Sequence, residues 1–261
     1  MRTASLRAWL VLVPVVALTL VGIPLQAGAV ALKLKARRRI PVLYHRAVLA
    51  LIGIRVRVTG APVPARPLLL VANHVSWLDI CVLGAQFPLC FVAKSEVGRW
   101  PGIGLLARLQ RTVFVDRTAR AATGRAAGEI AGRLGDGDPV VLFAEGTSSD
   151  GNRVLAFRSA LLGAASRGAG EHAAVQPLAI AYVAQGGVSL GRTRRPLVAW
   201  YGDMDLAAHL MEVLRRGTLD VELRFGEVID AGNRKAAAGE AERRVRAMLA
   251  RSLNPRVDSG H

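Results

Sequence analysis

The residues best suited to chemistry are His74 and Asp79, in the run Asn73-His74-Val75-Ser76-Trp77-Leu78-Asp79. Imidazole titrates near neutrality, so it can take and return a proton. A carboxylate on one ring nitrogen fixes the tautomer and leaves the other nitrogen free as a general base. The spacing constrains how the two can meet. On a regular helix, an offset of five residues turns two side chains well apart. His74 is therefore expected in a strand-to-helix turn, with Asp79 in the first turn of the next helix, pointing back. The preceding run Pro67-Leu68-Leu69-Leu70-Val71-Ala72 is short, apolar and bounded by proline, which predicts a buried strand. The end of such a strand is where α/β sheets place their chemistry. A plainer account of the same residues is a loop histidine and an acid favoured by the helix dipole.

Two more apolar runs end in polar residues. Val140 to Ala144 leads into Glu145-Gly146-Thr147. A carboxylate at a buried strand end is costly unless paired, and glycine lets another group approach the backbone. Thr112 to Val115 carries Phe114 and ends in Asp116-Arg117. The Arg117 guanidinium fork suits an anionic group. A surface turn and a solvated ion pair are the plainer accounts of these two. Pro177, in Val175-Gln176-Pro177-Leu178, removes a ladder donor near a strand start.

The elements that must hold these residues alternate. Strands are expected at Ile54–Val58, Leu68–Ala72, Leu89–Ala93, Thr112–Val115, Val140–Ala144, Val175–Val183, Leu197–Tyr201 and Val221–Phe225. Helices are expected at Trp77–Gln86, Gly102–Leu109, Ala119–Leu134, Phe157–Ala165 and Lys235–Leu253. This order argues for a single α/β domain with a mixed, largely parallel sheet flanked by helices.

Before that domain comes an apolar amino terminus. Ala8 to Leu32 contains no charge and is long enough to cross a bilayer. Pro14 and Pro24 are tolerated in membrane helices. Lys33, Lys35, Arg37, Arg38 and Arg39 follow, and the heavier basic flank belongs on the cytoplasmic side. An uncleaved anchor over 1–39 fits best. A signal peptide cut near Ala27-Gly28-Ala29 and a bent helix that dips into one leaflet are the rivals. Residues 40–54 read as a helix with a wide apolar face, either interfacial or packed on a core.

With 35 Lys+Arg against 19 Asp+Glu, the net charge is +16. Such a surface seeks an anionic partner. Nucleic acid is disfavoured, because aromatics make up 5% of the chain and neither a zinc-ligand set nor an RNA-binding signature is present. Cys81 and Cys90 sit in apolar surroundings and read as reduced core residues.

Taken in order, these segments resemble the glycerol-3-phosphate and lysophospholipid acyltransferase family over roughly residues 55 to 200. The family's Asn-His-four residues-Asp motif is matched by Asn73, His74 and Asp79. Its Gly-two-Phe-two-Arg motif is matched by Phe114 and Arg117, with Arg111 where glycine is usual. Its Phe-Pro-Glu-Gly-Thr-Arg-Ser motif is matched by Phe143, Glu145, Gly146, Thr147 and Ser149, with Ala144 and Ser148 in place of Pro and Arg. Pro177 matches the fourth motif. The Ser148 departure resembles the branch that acylates lyso-ornithine lipids.

The resemblance implies an acyl transfer from a thioester to a lysolipid hydroxyl, either 1-acylglycerol-3-phosphate or lyso-ornithine lipid. His74 and Asp79 would be the catalytic pair. Phe114, Arg117, Glu145, Gly146 and Thr147 would line the acceptor site. The donor would be an acyl-carrier-protein or coenzyme A thioester, with no metal or other cofactor. Membrane lipids are the expected environment, at the cytoplasmic membrane with the catalytic domain, residues 55–261 around a motif core of 67–183, on the cytoplasmic side. A membrane-anchored binding protein of the same fold is the competing reading, and it predicts loss of His74 or Asp79, which are both present.

Overall fold

The computed structural model describes residues 2–115, 120–160, 162–163, 173–230 and 232–254. Two helices come first, α1 (Arg2–Ala31) and α2 (Ala36–Ile52). Then follow β1 (Ile54–Thr59), β2 (Leu68–Ala72), α3 (Leu78–Gly84), β3 (Cys90–Lys94), a 3-10 turn (Ser95–Arg99), α4 (Ile103–Leu109) and β4 (Val113–Val115). The remainder is α5 (Arg120–Gly135), β5 (Val140–Phe143), β6 (Ala174–Gln185), β7 (Val188–Ser189), a second 3-10 turn (Arg195–Leu197), α6 (Leu206–Arg216), β8 (Leu219–Phe225) and α7 (Arg234–Leu253).

The strands form one sheet in the order β1-β8-β6-β2-β5-β3-β4, with β7 paired to β6. The β6–β8 and β6–β7 pairs are antiparallel, and the other described neighbours run parallel. The expected mixed, largely parallel α/β sheet is what the chain forms. Its central strands are continuous apolar runs because both of their faces are covered. Along β2 the side chains alternate: Leu68, Leu70 and Ala72 face α2, α3 and α6, while Leu69 and Val71 face α5 and α7.

Helix α1 is apolar all round, yet only a strip of it is covered. Ala8, Val11, Gln26 and Ala29 are buried, at helical spacing, whereas Leu6, Trp9, Leu10, Val13, Leu20, Val21 and Leu25 are exposed. Both of its ends are tied to the domain. The Arg7 guanidinium donates to the Leu214 carbonyl of α6 and, at 2.8 Å, to the Ile52 carbonyl of α2. The Gln26 amide donates to the carbonyls of Arg37 (3.0 Å) and Leu109 (2.9 Å). Thr19 and Tyr44 hydroxyls meet midway at 2.8 Å.

Helix α2 starts at Ala36, so Arg37, Arg38 and Arg39 belong to its first turns instead of a free basic flank. Arg38 pairs with buried Asp138 at 2.6 Å and Arg37 lies 3.7 Å from Asp136. The helix ends at Gly53, whose φ of 87° is the left-handed conformation common at helix termini.

One expected strand is missing and one helix was not expected. No strand forms over Leu197–Tyr201; a 3-10 turn and coil occupy it, because the Trp200 amide donates to the Val75 carbonyl at 2.9 Å instead of a sheet neighbour. Helix α6 was not foreseen, although the Asp205 side chain accepts from Ala208 N–H at 2.7 Å and so caps it. Of the helix expected over 157–165, residues 161, 164 and 165 lie outside the described residues, and Phe157 and Arg158 are not helical.

Candidate active site

The parallel pairing of β2 with β5 brings two motifs together. Ala72 is in register with Phe143, so the chain leaving β2 at Asn73-His74 lies beside the chain leaving β5 at Ala144-Glu145. The Ala144 amide donates to the Ala72 carbonyl (3.1 Å), and the Ser149 amide to the His74 carbonyl (2.9 Å). Two motifs far apart in sequence thus share one end of the sheet.

His74 lies in the turn and Asp79 in the first turn of α3, as the spacing requires. Nδ1 of His74 is 2.8 Å from Oδ2 of Asp79. The same oxygen accepts the amides of Val75 (2.7 Å) and Ser76 (3.1 Å). The other oxygen accepts the Tyr182 hydroxyl at 2.7 Å. Asp79 is wholly buried, and these donors keep a carboxylate tolerable there. Since a carboxylate only accepts, Nδ1 carries the proton and Nε2 is left with its lone pair. The ring stacks on Phe143, with centroids 4.1 Å apart, and its side chain remains 19% exposed. Thus the imidazole is locked in orientation but still reachable.

Asn73 anchors the turn from below. Its side chain donates to the Ile180 carbonyl (3.0 Å) and accepts the Ile180 amide (2.9 Å), so it bridges β2 to β6 just where β6 continues beyond the end of β2. That continuation carries Tyr182 to Asp79.

Glu145 is buried, and no donor reaches either carboxylate oxygen with normal hydrogen-bond geometry. Burial pushes its pKa up to about 8, against the pull of the nearby Leu155 and His74 amides. Gly146 follows with φ of 71°, a turn conformation that favours glycine. Thr147 is exposed. Ser148, standing where the family has arginine, donates its hydroxyl to the Trp200 carbonyl. Arg158 reaches this turn, where its Nε donates to the Glu145 carbonyl at 3.2 Å.

The other predicted site residues are more distant or undescribed. Phe114 lies on edge strand β4 at the same end of the sheet, against Gly98. Three strand spacings of about 4.8 Å separate β4 from β2. Arg117 lies outside the described residues. Among the described residues, no group of three or more His, Cys, Asp or Glu side chains is arranged to hold a metal ion. Cys81 and Cys90 are free thiols.

Sequence reasoning missed Tyr182 and the segment around Trp200. Tyr182 has a signal only in hindsight, as a hydroxyl within the apolar run Leu178–Val183. Nothing local to Trp200 marks its amide as a partner of Val75.

The chain matches the family model "Acyltransferase" over residues 55–181. It is 50% identical over 256 residues to a lyso-ornithine lipid O-acyltransferase of Brucella abortus, covering 95% of this chain and 96% of that one. A 1-acyl-sn-glycerol-3-phosphate acyltransferase of Neisseria meningitidis is 33% identical over 221 residues, covering 83% of each. In fold, the chain is similar to the 1-acyl-sn-glycerophosphate acyltransferase PlsC of Thermotoga maritima, with a TM-score of 0.61 at 21% identity over 96% of this chain and 98% of that one.

Proposed function

Since the chain belongs to the acyltransferase family, we propose that it transfers a fatty acyl group from a thioester to the hydroxyl of a lysolipid, with lyso-ornithine lipid as the acceptor. The observation that carries the mechanism is the 2.8 Å contact of His74 Nδ1 with fully buried Asp79, which leaves Nε2 as the free base. Nε2 removes the proton of the lipid hydroxyl as its oxygen attacks the thioester carbonyl. The new C–O bond forms, the C–S bond breaks, and the proton returns from His74 to the departing thiolate. Asp79 stabilises the imidazolium between these steps. A thioester is already activated, so neither a nucleophilic serine nor a metal is needed, and Ser148 and Ser149 serve the backbone instead.

Glu145 offers the acceptor a buried carboxyl group that burial keeps protonated near neutrality, in the turn beside His74, and Gly146 and Thr147 follow it in the same acceptor site. By the motif match, Phe114 and Arg117 also serve the acceptor. The hydroxyl of Ser148 supplies no charge for a phosphate, which favours the ornithine head group over lysophosphatidate. The 50% identity to the Brucella abortus enzyme supports the same choice.

The catalytic domain works at the cytoplasmic face of the inner membrane. Helix α1 is apolar enough to cross a bilayer, with 11% of its apolar window buried against the protein. Because it is fastened along its length to α2, α4 and α6, lying in one leaflet suits it better than a perpendicular span. The basic surface attracts anionic lipid and either an acidic acyl-carrier protein or coenzyme A thioester.

The test is side-by-side turnover of lyso-ornithine lipid and lysophosphatidate by the full-length protein, with each thioester donor. Preferred acylation of lyso-ornithine lipid is expected. A strong preference for the phosphate-bearing acceptor overturns the head-group assignment, and no acylation of either overturns the reaction.

A further inference from the structure

We infer that His209 is a positioning residue for the His74–Asp79 pair, acting through Trp77; this rests on the reading of His74 as the general base. Trp77 is one of the four residues between His74 and Asp79. Its indole N–H donates to Nδ1 of His209, on α6, at 3.0 Å. Indole nitrogen can only donate, so Nδ1 must be bare and His209 must carry its proton on Nε2. That Nε2 is buried without a partner of normal geometry, and the carbonyls of Leu197 and Ala199 face it. His209 is 5% exposed. Burial lowers its pKa, Glu212 and Arg216 on α6 act in opposite senses, and the neutral form that Trp77 needs is the favoured one.

Besides the bonds of Asn73 to Ile180 and of His74 to Ser149, the turn is thus held at two further points. Val75 is held through its carbonyl by the Trp200 amide at 2.9 Å, and Trp77 through its indole by His209. Both come from the stretch 197–209, which also receives the Ser148 hydroxyl at Trp200. Asp79 fixes one ring nitrogen of His74, but it does not by itself fix the height of the turn over the sheet edge. The Trp77–His209 bond supplies that further constraint. A histidine that only filled space would be replaceable by any side chain of similar volume. One that accepts at Nδ1 is replaceable by asparagine, whose carbonyl oxygen stands near the same point, and not by leucine.

The experiment is steady-state acylation of lyso-ornithine lipid by the full-length protein in lipid vesicles, with thermal melting of every variant alongside. His209→Leu is expected to lower kcat roughly 10-fold to 100-fold, as small misplacements of a catalytic group do, with KM little changed. His209→Asn restores most of that loss. Trp77→Phe, which removes the donor together with part of the ring, falls at least as far as His209→Leu, and adding His209→Leu to it lowers kcat no further. Wild-type kcat in His209→Leu or in Trp77→Phe overturns the inference, as does a His209→Asn enzyme no better than His209→Leu at equal melting temperature. A wild-type protein without turnover overturns the proposed function instead.

Discussion

Asp79 is the most constrained group in the site, since each of its two oxygens is occupied by a donor from a different part of the chain. Removing the Tyr182 hydroxyl with Tyr182→Phe leaves Oδ1 buried and unpaired. Urea unfolding should show a loss of about 1–3 kcal/mol, together with a lowered kcat. His74→Ala removes the base and is expected to cut turnover by roughly 10²- to 10⁴-fold without loosening vesicle attachment. Full activity in that variant would refute the general-base role. Glu145 makes the opposite kind of prediction. Its folded pKa, about 8, lies above its ordinary 4.5. The native protein therefore keeps a proton that the unfolded chain releases between those values. This group's contribution to stability is complete below about pH 4.5 and declines as pH rises to 8, by at most about 1.4 kcal/mol per pH unit. Glu145→Gln should flatten that decline in denaturation curves taken at successive pH values, while impairing acceptor binding.

At the scale of elements, Arg111 joins α4 to β4 with φ of 62°, a left-handed conformation unusual for a side-chain-bearing residue. Glycine would adopt it without strain. Here arginine occupies it because the guanidinium bridges buried Asp138 and, at 2.8 Å, Asp136. Arg111→Ala should lose roughly 3 kcal/mol by stranding part of a buried ion pair. Arg111→Gly should lose about 1 kcal/mol less, because it frees the backbone. Equal losses would mean that the conformation is unstrained. The strands β2 and β5, the histidine turn and the acid in α3 were all legible, because continuous apolar runs and a five-residue offset admit few geometries. The segment 197–201 was not. Its apolar residues imitate a strand, and only a long-range bond to Val75 decides otherwise. Helix α6 was legible in principle from Asp205 and its apolar spacing, but its tie to Trp77 depends on tertiary placement and leaves no local trace.

At the scale of the whole molecule, a net charge of +16 and an exposed apolar helix face act together. Binding to vesicles is expected to rise with their content of anionic lipid and to weaken with salt, with a residue of salt-resistant binding from α1. Sedimentation of the protein with vesicles of graded composition checks this. Placement of α1 can be read by single cysteines at Leu6 and Leu34, near its two ends. Labelling of both by an impermeant reagent from the same side is expected, and labelling from opposite sides would establish a span.

The bond from Arg7 to the ends of α2 and α6 bears on how the protein is born. Arg7 leaves the ribosome early, but its acceptors Ile52 and Leu214 lie 45 and 207 residues later. Ile52 is therefore made early, but for most of synthesis Arg7 must wait for Leu214. Under the proposed placement of α1 in one leaflet, Arg7 stays on the side of both carbonyls, and the domain can close around its own first helix only once translation is nearly complete.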